Sequence, residues 1–254
     1  MEFLQGKRIL ITGASSGIGK AILRDTLENG ADLLVVCGRD SSKLEHLCKE
    51  VNSWKPNVLI FPWTGDFLHK ESLAHFFEWL TEMKFVFDGT VFSAGADKTI
   101  PLKVTSEDIF SNLFRLNTLI PVEILMILLK NNMLRARASI IFISSVMGLV
   151  GQPGKTAYCS TKAALIGAAK ALALELAPKQ IRVNVIAPGI VESPMTENLF
   201  KILTADNLIK LKNMHPLGFG SSDDIAYLAT FLLSEKSKWI TGSTITIDGG
   251  YSAQ

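Results

Sequence analysis

In the stretch AYCSTKAAL, residues 157–165, Tyr158 and Lys162 stand four apart among small and aliphatic residues. Residues i and i+4 share one face of a helix, so a helical segment sets the phenol beside the ammonium. Such a pair can move a proton. A free phenol, with a pKa near ~10, is a poor base at neutral pH, and a positive neighbour favours its ionised form. At an effective dielectric of about 20, a unit charge about 4 Å away is worth roughly 4 kcal/mol, or about three pK units before desolvation is subtracted. The same spacing also suits an aromatic anchor followed by a solvated lysine, so the rest of the chain has to decide.

A second constellation lies near the start. LITGASSGIG sets Gly13, Gly17 and Gly19 between the first strand-like run and the first helix-like run. Glycines allow positive φ and close backbone approach, and a helix N-terminus presents free N–H groups and a positive dipole end. That suits the pyrophosphate of a dinucleotide. Ser15, Ser16 and Ile18 of the same turn join the glycines as candidate cofactor contacts. The spacing is G-x-x-x-G-x-G, and a merely tight strand–helix connection is the alternative. At the end of the second strand-like run, LLVVCGRD, Gly38 stands where an acid would bond a ribose 2′-OH, and Arg39 follows. An arginine grips a phosphate with two charge-assisted bonds, so the expectation is NADP(H), with NAD(H) left open. A solvated surface arginine is the competing reading. Asp40, one residue later, is expected to cap the next helix.

The elements that must position these residues are legible from pattern. Short β-branched runs (KRILIT, DLLVVC, NVLIF, GTVFS, SIIFIS, IRVNVIA, STITI) alternate with helical stretches of roughly 10–25 residues. The alternation predicts one α/β domain over residues 1–254, a doubly wound Rossmann-type fold with a mostly parallel sheet of about seven strands flanked by helices. The segment VEILMILLK, 122–130, is apolar nearly all round, which implies either a subunit contact or complete cover by its own chain. Near-balanced charge, 26 basic against 24 acidic residues, offers no basic stripe for nucleic acid. No charge-free run of about 18 apolar residues indicates a membrane span. Three scattered cysteines and four histidines show no metal-ligand spacing, so no metal is expected and the thiols read as reduced, in a cytoplasmic protein.

Taken in order, TGASSGIG (12–19), Asp66, SAG (93–95), Asn117, ISS (143–145), YCSTK (158–162), RVNVIAPG (182–189) and the closing ITGSTITIDGGY resemble the short-chain dehydrogenase/reductase family over about residues 5–251. The resemblance implies hydride transfer between a nicotinamide and a carbonyl or alcohol. It implies Tyr158 as general acid–base, Lys162 as its electrostatic partner and ribose contact, Ser145 as donor to the substrate oxygen, and Asn117 as holder of a proton-relaying water. It further implies Asp66 on adenine, Ala94 and Gly95 against the cofactor, Pro188, Gly189 and Val191 at the nicotinamide carboxamide, and Ser193 near the phosphates. Pro121 lacks the N–H that would bond the Asn117 carbonyl, so the chain is expected to bend there or to start a second helix.

Two departures stand out. Phe92 and Ser93 replace the family's usual pair of asparagines, which puts stability in question, and PLGFG (216–220) is shortened. The segment 190–220 is the expected substrate lid, in which Leu199, Phe200, Leu203 and Met214 either face an apolar substrate or rest on the core. Within the family the pattern is nearest the 3-oxoacyl-(acyl-carrier-protein) reductase type. Arg135, Arg137 and Lys179 are then candidates for a basic rim towards an acidic carrier protein. The substrate is a small carbonyl or alcohol, with delivery on an acyl carrier protein as one form. Sugar alcohols, steroids and small secondary alcohols remain open, as does a non-catalytic dinucleotide-sensing protein. The family usually forms homodimers or homotetramers.

Overall fold

A computed structural model describes residues 3–253, apart from the side chains of Met195, Asn198, Leu199 and Ile202. The expected lid contact at Leu199 therefore lies outside the described residues. The first half alternates β1 (Arg8–Thr12), α1 (Gly17–Glu28), β2 (Leu33–Gly38), α2 (Ser41–Trp54), β3 (Leu59–Thr64), α3 (Lys70–Glu82) and β4 (Phe87–Phe92). After a loop come α4 (Glu107–Phe114) and α5 (Ile120–Lys130), then β5 (Leu134–Ile143), α6 (Thr156–Leu176) and β6 (Arg182–Pro188). The remainder is β7 (Val191–Glu192), α7 (Pro194–Ile202), α8 (Ala205–Asn213), β8 (Gly220–Ser221), α9 (Ser222–Leu233) and β9 (Thr244–Ile247).

The main sheet runs β3-β2-β1-β4-β5-β6-β9, and every neighbouring pair in it is parallel. Its strands read as near-continuous apolar runs because both faces are covered. Along β1, Leu10 packs with Phe76 of α3, Ile124 of α5 and Leu165 of α6. Ile9 and Ile11 point the other way, into a layer with Ile22 of α1, Leu44 of α2 and Ala229 of α9. The strand order reverses between β1 and β4, and the crevice beyond their carboxyl ends is where such sheets bind ligands.

The helix signals place these elements. Asp40 caps α2 by accepting the Lys43 N–H at 3.0 Å, and Gly30 takes φ +91° just past α1. Between α4 and α5 the helix does not restart: Arg115–Leu119 form a π-helical turn, in which the Ile120 N–H reaches back five residues to the Arg115 carbonyl. Pro121 falls in the first turn of α5. This continuous helix, Glu107–Lys130, is long and apolar enough to cross a membrane by length and composition. Ile120, Ile124, Leu125 and Leu128 instead bury one side of it against the sheet, leaving Met126 exposed.

The departure at Phe92 has a packing answer. Phe92 is buried at the end of β4 and stacks on Phe142 of β5, with centroids 5.2 Å apart. An apolar contact between neighbouring strands thus occupies the position.

Candidate active site

β5 delivers the catalytic candidates through three consecutive residues at its carboxyl end. The Ile143 carbonyl accepts a hydrogen bond from Lys162 Nζ at 2.9 Å. The Ser144 hydroxyl donates to the Lys162 carbonyl at 2.8 Å, fixing α6 to the strand. Ser145, 9% exposed, hydrogen-bonds Tyr158. The α6 helix keeps Tyr158 and Lys162 on one face as their spacing requires, with Lys162 Nζ 5.7 Å from the phenol ring centroid.

The electrostatics differ from the expectation in one respect. The Tyr158 phenol is pushed above its ordinary value, chiefly by burial and then by the Asp97 carboxylate, while the hydrogen bond from Ser145 works the other way. The Lys162 ammonium beside the ring does not outweigh these two effects. That ammonium is spent on the Ile143 carbonyl, and its own burial brings its pKa down to about 8, against a raising effect from Asp97. A phenol that holds its proton at neutral pH is suited to donating it.

Asn117 sits in the π-helical turn, where Pro121 cannot return an N–H to its carbonyl. Its buried amide accepts from the Ala96 N–H and donates to the Ala96 carbonyl, both at 2.9 Å, and donates to Thr161 Oγ1 at 3.1 Å. The neighbouring Thr118 hydroxyl bonds the Thr161 carbonyl at 3.0 Å. The wide turn therefore ties the loop after β4 to α6, with Thr161 as the common partner. Sequence reading did not find Thr118 and Thr161, since nothing local marks a threonine as a bridge between elements.

An open cleft of about 220 Å³ adjoins this cluster at the strand-order reversal. Gly13, Ser15, Ser16, Gly17, Ile18 and Gly19 form its floor. Gly13 has φ +71° and lies so close to the loop after β4 that a Cβ would stand 2.8 Å from the Ala94 backbone. Gly19 packs so tightly that its Cβ would meet the Gly13 carbonyl oxygen at 2.2 Å. The α1 N-terminus has no side-chain cap on its N–H groups and no acid in its first turn, so its positive end is open to an anion. These are features that fit a dinucleotide pyrophosphate.

Ala94, Gly95, Arg39, Asp66 and Ser193 also line the cleft. The exposed Arg39 guanidinium lies 4.0 Å from the Asp66 carboxylate, whose other oxygen accepts the Leu68 N–H at 3.0 Å. Gly95 joins the cleft to the catalytic group: a Cβ there would come within 3.1 Å of Asn117 Oδ1 and 3.5 Å of Lys162 Nζ. Pro188 ends β6, the Gly189 N–H bonds the Ile247 carbonyl at 3.0 Å, and Val191 pairs with Gly220 in the short β7–β8 sheet. These three do not line the cleft itself, but Ser193 and Pro194 just beyond them do. Sequence reading also missed Cys37, Phe67 and Leu116 in its walls.

Within the expected lid segment, the Phe200 ring of α7 stacks on Phe219 at 5.1 Å, and His215 meets Phe219 and Tyr251 at 5.3 and 4.8 Å. The proposed basic rim is elsewhere. Arg135 and Arg137 lie at the amino end of β5 and Lys179 just before β6, with Arg135 3.4 Å from Asp88 and Arg137 bonded to Gln180. At about 3.3 Å per strand residue, Arg137 is roughly 25 Å from Ser145, towards the opposite end of the strand.

The family model described as enoyl-(acyl carrier protein) reductase matches residues 13–252. The 3-oxoacyl-[acyl-carrier-protein] reductase of Thermotoga maritima is 34% identical over 97% of this chain and 98% of its own length. A solved 3-oxoacyl-[acyl-carrier protein] reductase from Brucella melitensis superposes with a TM-score of 0.87 at 27% identity, covering 98% of this chain and 93% of that one. A 4-hydroxyisoleucine dehydrogenase mutant, solved with NADH and succinate, gives 0.87 at 28% identity over 98% and 99%. With the parallel sheet, the glycine cradle and the Ser145–Tyr158–Lys162 cluster, these matches identify an oxidoreductase of CH–OH or carbonyl groups that uses a nicotinamide dinucleotide, and the chain belongs to the short-chain dehydrogenase/reductase family.

Proposed function

We propose that this chain reduces the 3-oxo group of an acyl thioester to a 3-hydroxyacyl thioester with NADPH, the acyl group being linked to an acyl carrier protein or to coenzyme A. The observation that carries the reading is the convergence of two hydroxyls, Ser145 and Tyr158, with Lys162 at the end of β5. Two hydroxyls at one point suit a carbonyl oxygen as the group being reduced. The family model's description names an enoyl substrate, in whose reduction the charge would develop on the thioester oxygen, not on an oxygen bonded to the carbon that takes the hydride.

A nicotinamide bound in the cleft would supply the hydride that the carbonyl carbon takes. Ser145 holds the carbonyl oxygen by a hydrogen bond that strengthens as negative charge develops there. Tyr158 gives that oxygen its proton. Lys162, anchored on Ile143, keeps positive charge beside the tyrosine and holds the nicotinamide ribose, and Asn117 orders the path by which the proton is replaced. Gly13, Ser15, Ser16, Gly17, Ile18 and Gly19 hold the pyrophosphate, and Arg39 takes the 2′-phosphate. Asp66 meets adenine, Ala94 and Gly95 flank the cofactor, and Pro188, Gly189, Val191 and Ser193 hold the nicotinamide end.

Residues 190–220 act as the lid of a single catalytic domain. The enzyme works in the cytoplasm, where Cys37, Cys48 and Cys159, all unpaired, stay reduced. It assembles as a homodimer or homotetramer, a reading supported by exposed Leu119, Met126 and Leu174 on the α4–α5 and α6 helices. Exposed Lys98 and Lys103, on the loop after β4, are basic groups that a carrier protein can meet. A second reading, NAD⁺-linked oxidation of a small hydroxy acid, is favoured by the 4-hydroxyisoleucine dehydrogenase likeness.

The test is oxidation of NADPH by the purified protein with a 3-oxoacyl thioester, beside Tyr158→Phe. Consumption that disappears in the variant supports the reading. Reduction of NAD⁺ with hydroxy acids, and no NADPH consumption with the thioester, favours the second reading and sinks the first.

A further inference from the structure

Lys155 breaks a local rule. It occupies the cap position before α6, where Ser, Thr, Asp or Asn is preferred, and its side chain caps nothing. A cation there faces the positive end of the helix dipole, and this one is also 9% exposed, so desolvation opposes it as well. Its counter-ion is Asp97, 58 residues away in sequence, whose Oδ2 accepts from Lys155 Nζ. Asp97 is held by its neighbour: Ala96 is clamped through both backbone groups by Asn117. The other carboxylate oxygen, Oδ1, is buried without a hydrogen-bond partner among the described residues. Local conflicts of this kind concentrate at functional sites.

The pair lies against the catalytic tyrosine. Lys155 Nζ stands 5.3 Å from the Tyr158 ring centroid, nearly the same as the 5.7 Å of Lys162 Nζ. The titratable and charged groups that reach this ring are Asp97 from the loop after β4, Lys155 at the start of α6, and Cys159 and Lys162 within α6, with the Ser145 hydroxyl from the end of β5. We propose that Asp97 and Lys155 are positioning residues whose opposed charges set the field at Tyr158 and Lys162, so that both hold their protons when the substrate carbonyl is reduced. The proposal rests on the reading of Tyr158 as the proton donor.

The roles divide by sign. The Asp97 carboxylate favours the protonated forms of both Tyr158 and Lys162, and it does act on both. Lys155 alone would favour the phenolate and disfavour a second ammonium nearby. Paired with Asp97, its charge is offset, and the carboxylate's effect is tempered in turn. A salt bridge that only stapled the loop to the helix would have no such signed influence.

The experiment measures kcat/KM for NADPH-dependent reduction against pH in Asp97→Asn, Lys155→Gln, the double variant and Lys155→Arg. Tyrosinate absorbance is titrated in parallel, with Tyr158→Phe versions as the blank for Tyr227 and Tyr251. Asp97→Asn is expected to move the alkaline limb, and the Tyr158 titration, down by about one pH unit. Lys155→Gln moves both up, the double variant returns them close to the parent, and Lys155→Arg leaves them in place. Single variants that shift both readouts the same way, or not at all, overturn the proposal. If a single variant fails to fold, a double variant displaced from the parent by about one unit or more does the same. Full activity in Tyr158→Phe would instead overturn the proton-donor reading, while the absorbance titration would still report the pair's effect on the phenol.

Discussion

Lys162 Nζ donates to the main-chain carbonyl of Ile143 at 2.9 Å, so the ammonium is anchored to the sheet rather than to a carboxylate. Burial brings its pKa down to about 8. Protonated below that value and neutral above it, Lys162 supports the reaction only on the acid side. The kcat/KM for reduction is expected to be flat at neutral pH and to fall about tenfold per unit above a pKa near 8. Lys162→Met should remove this limb together with about 10²-fold or more of the turnover. A pH–rate profile of both proteins checks it.

Asn117 supports the site through three hydrogen bonds from a buried amide. Asn117→Ala leaves the Ala96 N–H and carbonyl without those partners. At about 1–3 kcal/mol for each buried polar group left unpaired, the loss should reach roughly 2–4 kcal/mol. Urea unfolding should show that drop in stability, and steady-state kinetics a lower kcat, because the loop after β4 is no longer tied to α6.

Arg39 is 70% exposed and placed at the rim of the cleft beside Asp66. Arg39→Ala should raise KM for NADPH about 10- to 100-fold, the equivalent of one or two charge-assisted hydrogen bonds, and leave KM for NADH within about twofold. Parallel titrations with the two cofactors decide it. Equal losses for both would remove the 2′-phosphate role.

Restoring the family's asparagine at position 92 should harm this protein. Phe92→Asn exchanges a buried ring stacked on Phe142 for an amide between apolar neighbours, at an expected cost of about 3–5 kcal/mol. Thermal unfolding of the variant is the measurement.

What sequence made legible was whatever depends on near neighbours. Tyr158 and Lys162 sit on one face because helix geometry fixes i and i+4, and Asp40 caps α2 because the capping bond spans three residues. The glycine turn could be read because its glycines fall at the junction of the first strand and the first helix. Contacts that the fold brings from afar could not be read. Nothing near Lys155 names Asp97 as its partner, and nothing near Asn117 names Ala96 or Thr161. Arg135 and Arg137 were expected beside the site because their charge was visible and their end of the strand was not. The net upward shift at Tyr158 could not be read for a related reason, since burial of each group depends on the whole sheet.

The π-helical turn at Arg115–Leu119 also sets the phase of everything after it. Each residue advances a helix by about 100°, so the extra residue in this turn decides which side of α5 meets the sheet. Deleting one residue here would restore an ordinary α-helical repeat and rotate Ile124, Leu125 and Leu128 away from the core, while Met126 swung from its exposed position. The length of this stretch is therefore as constrained as its composition. A chain can drift in sequence through α4 and α5 far more easily than it can gain or lose a single residue between them.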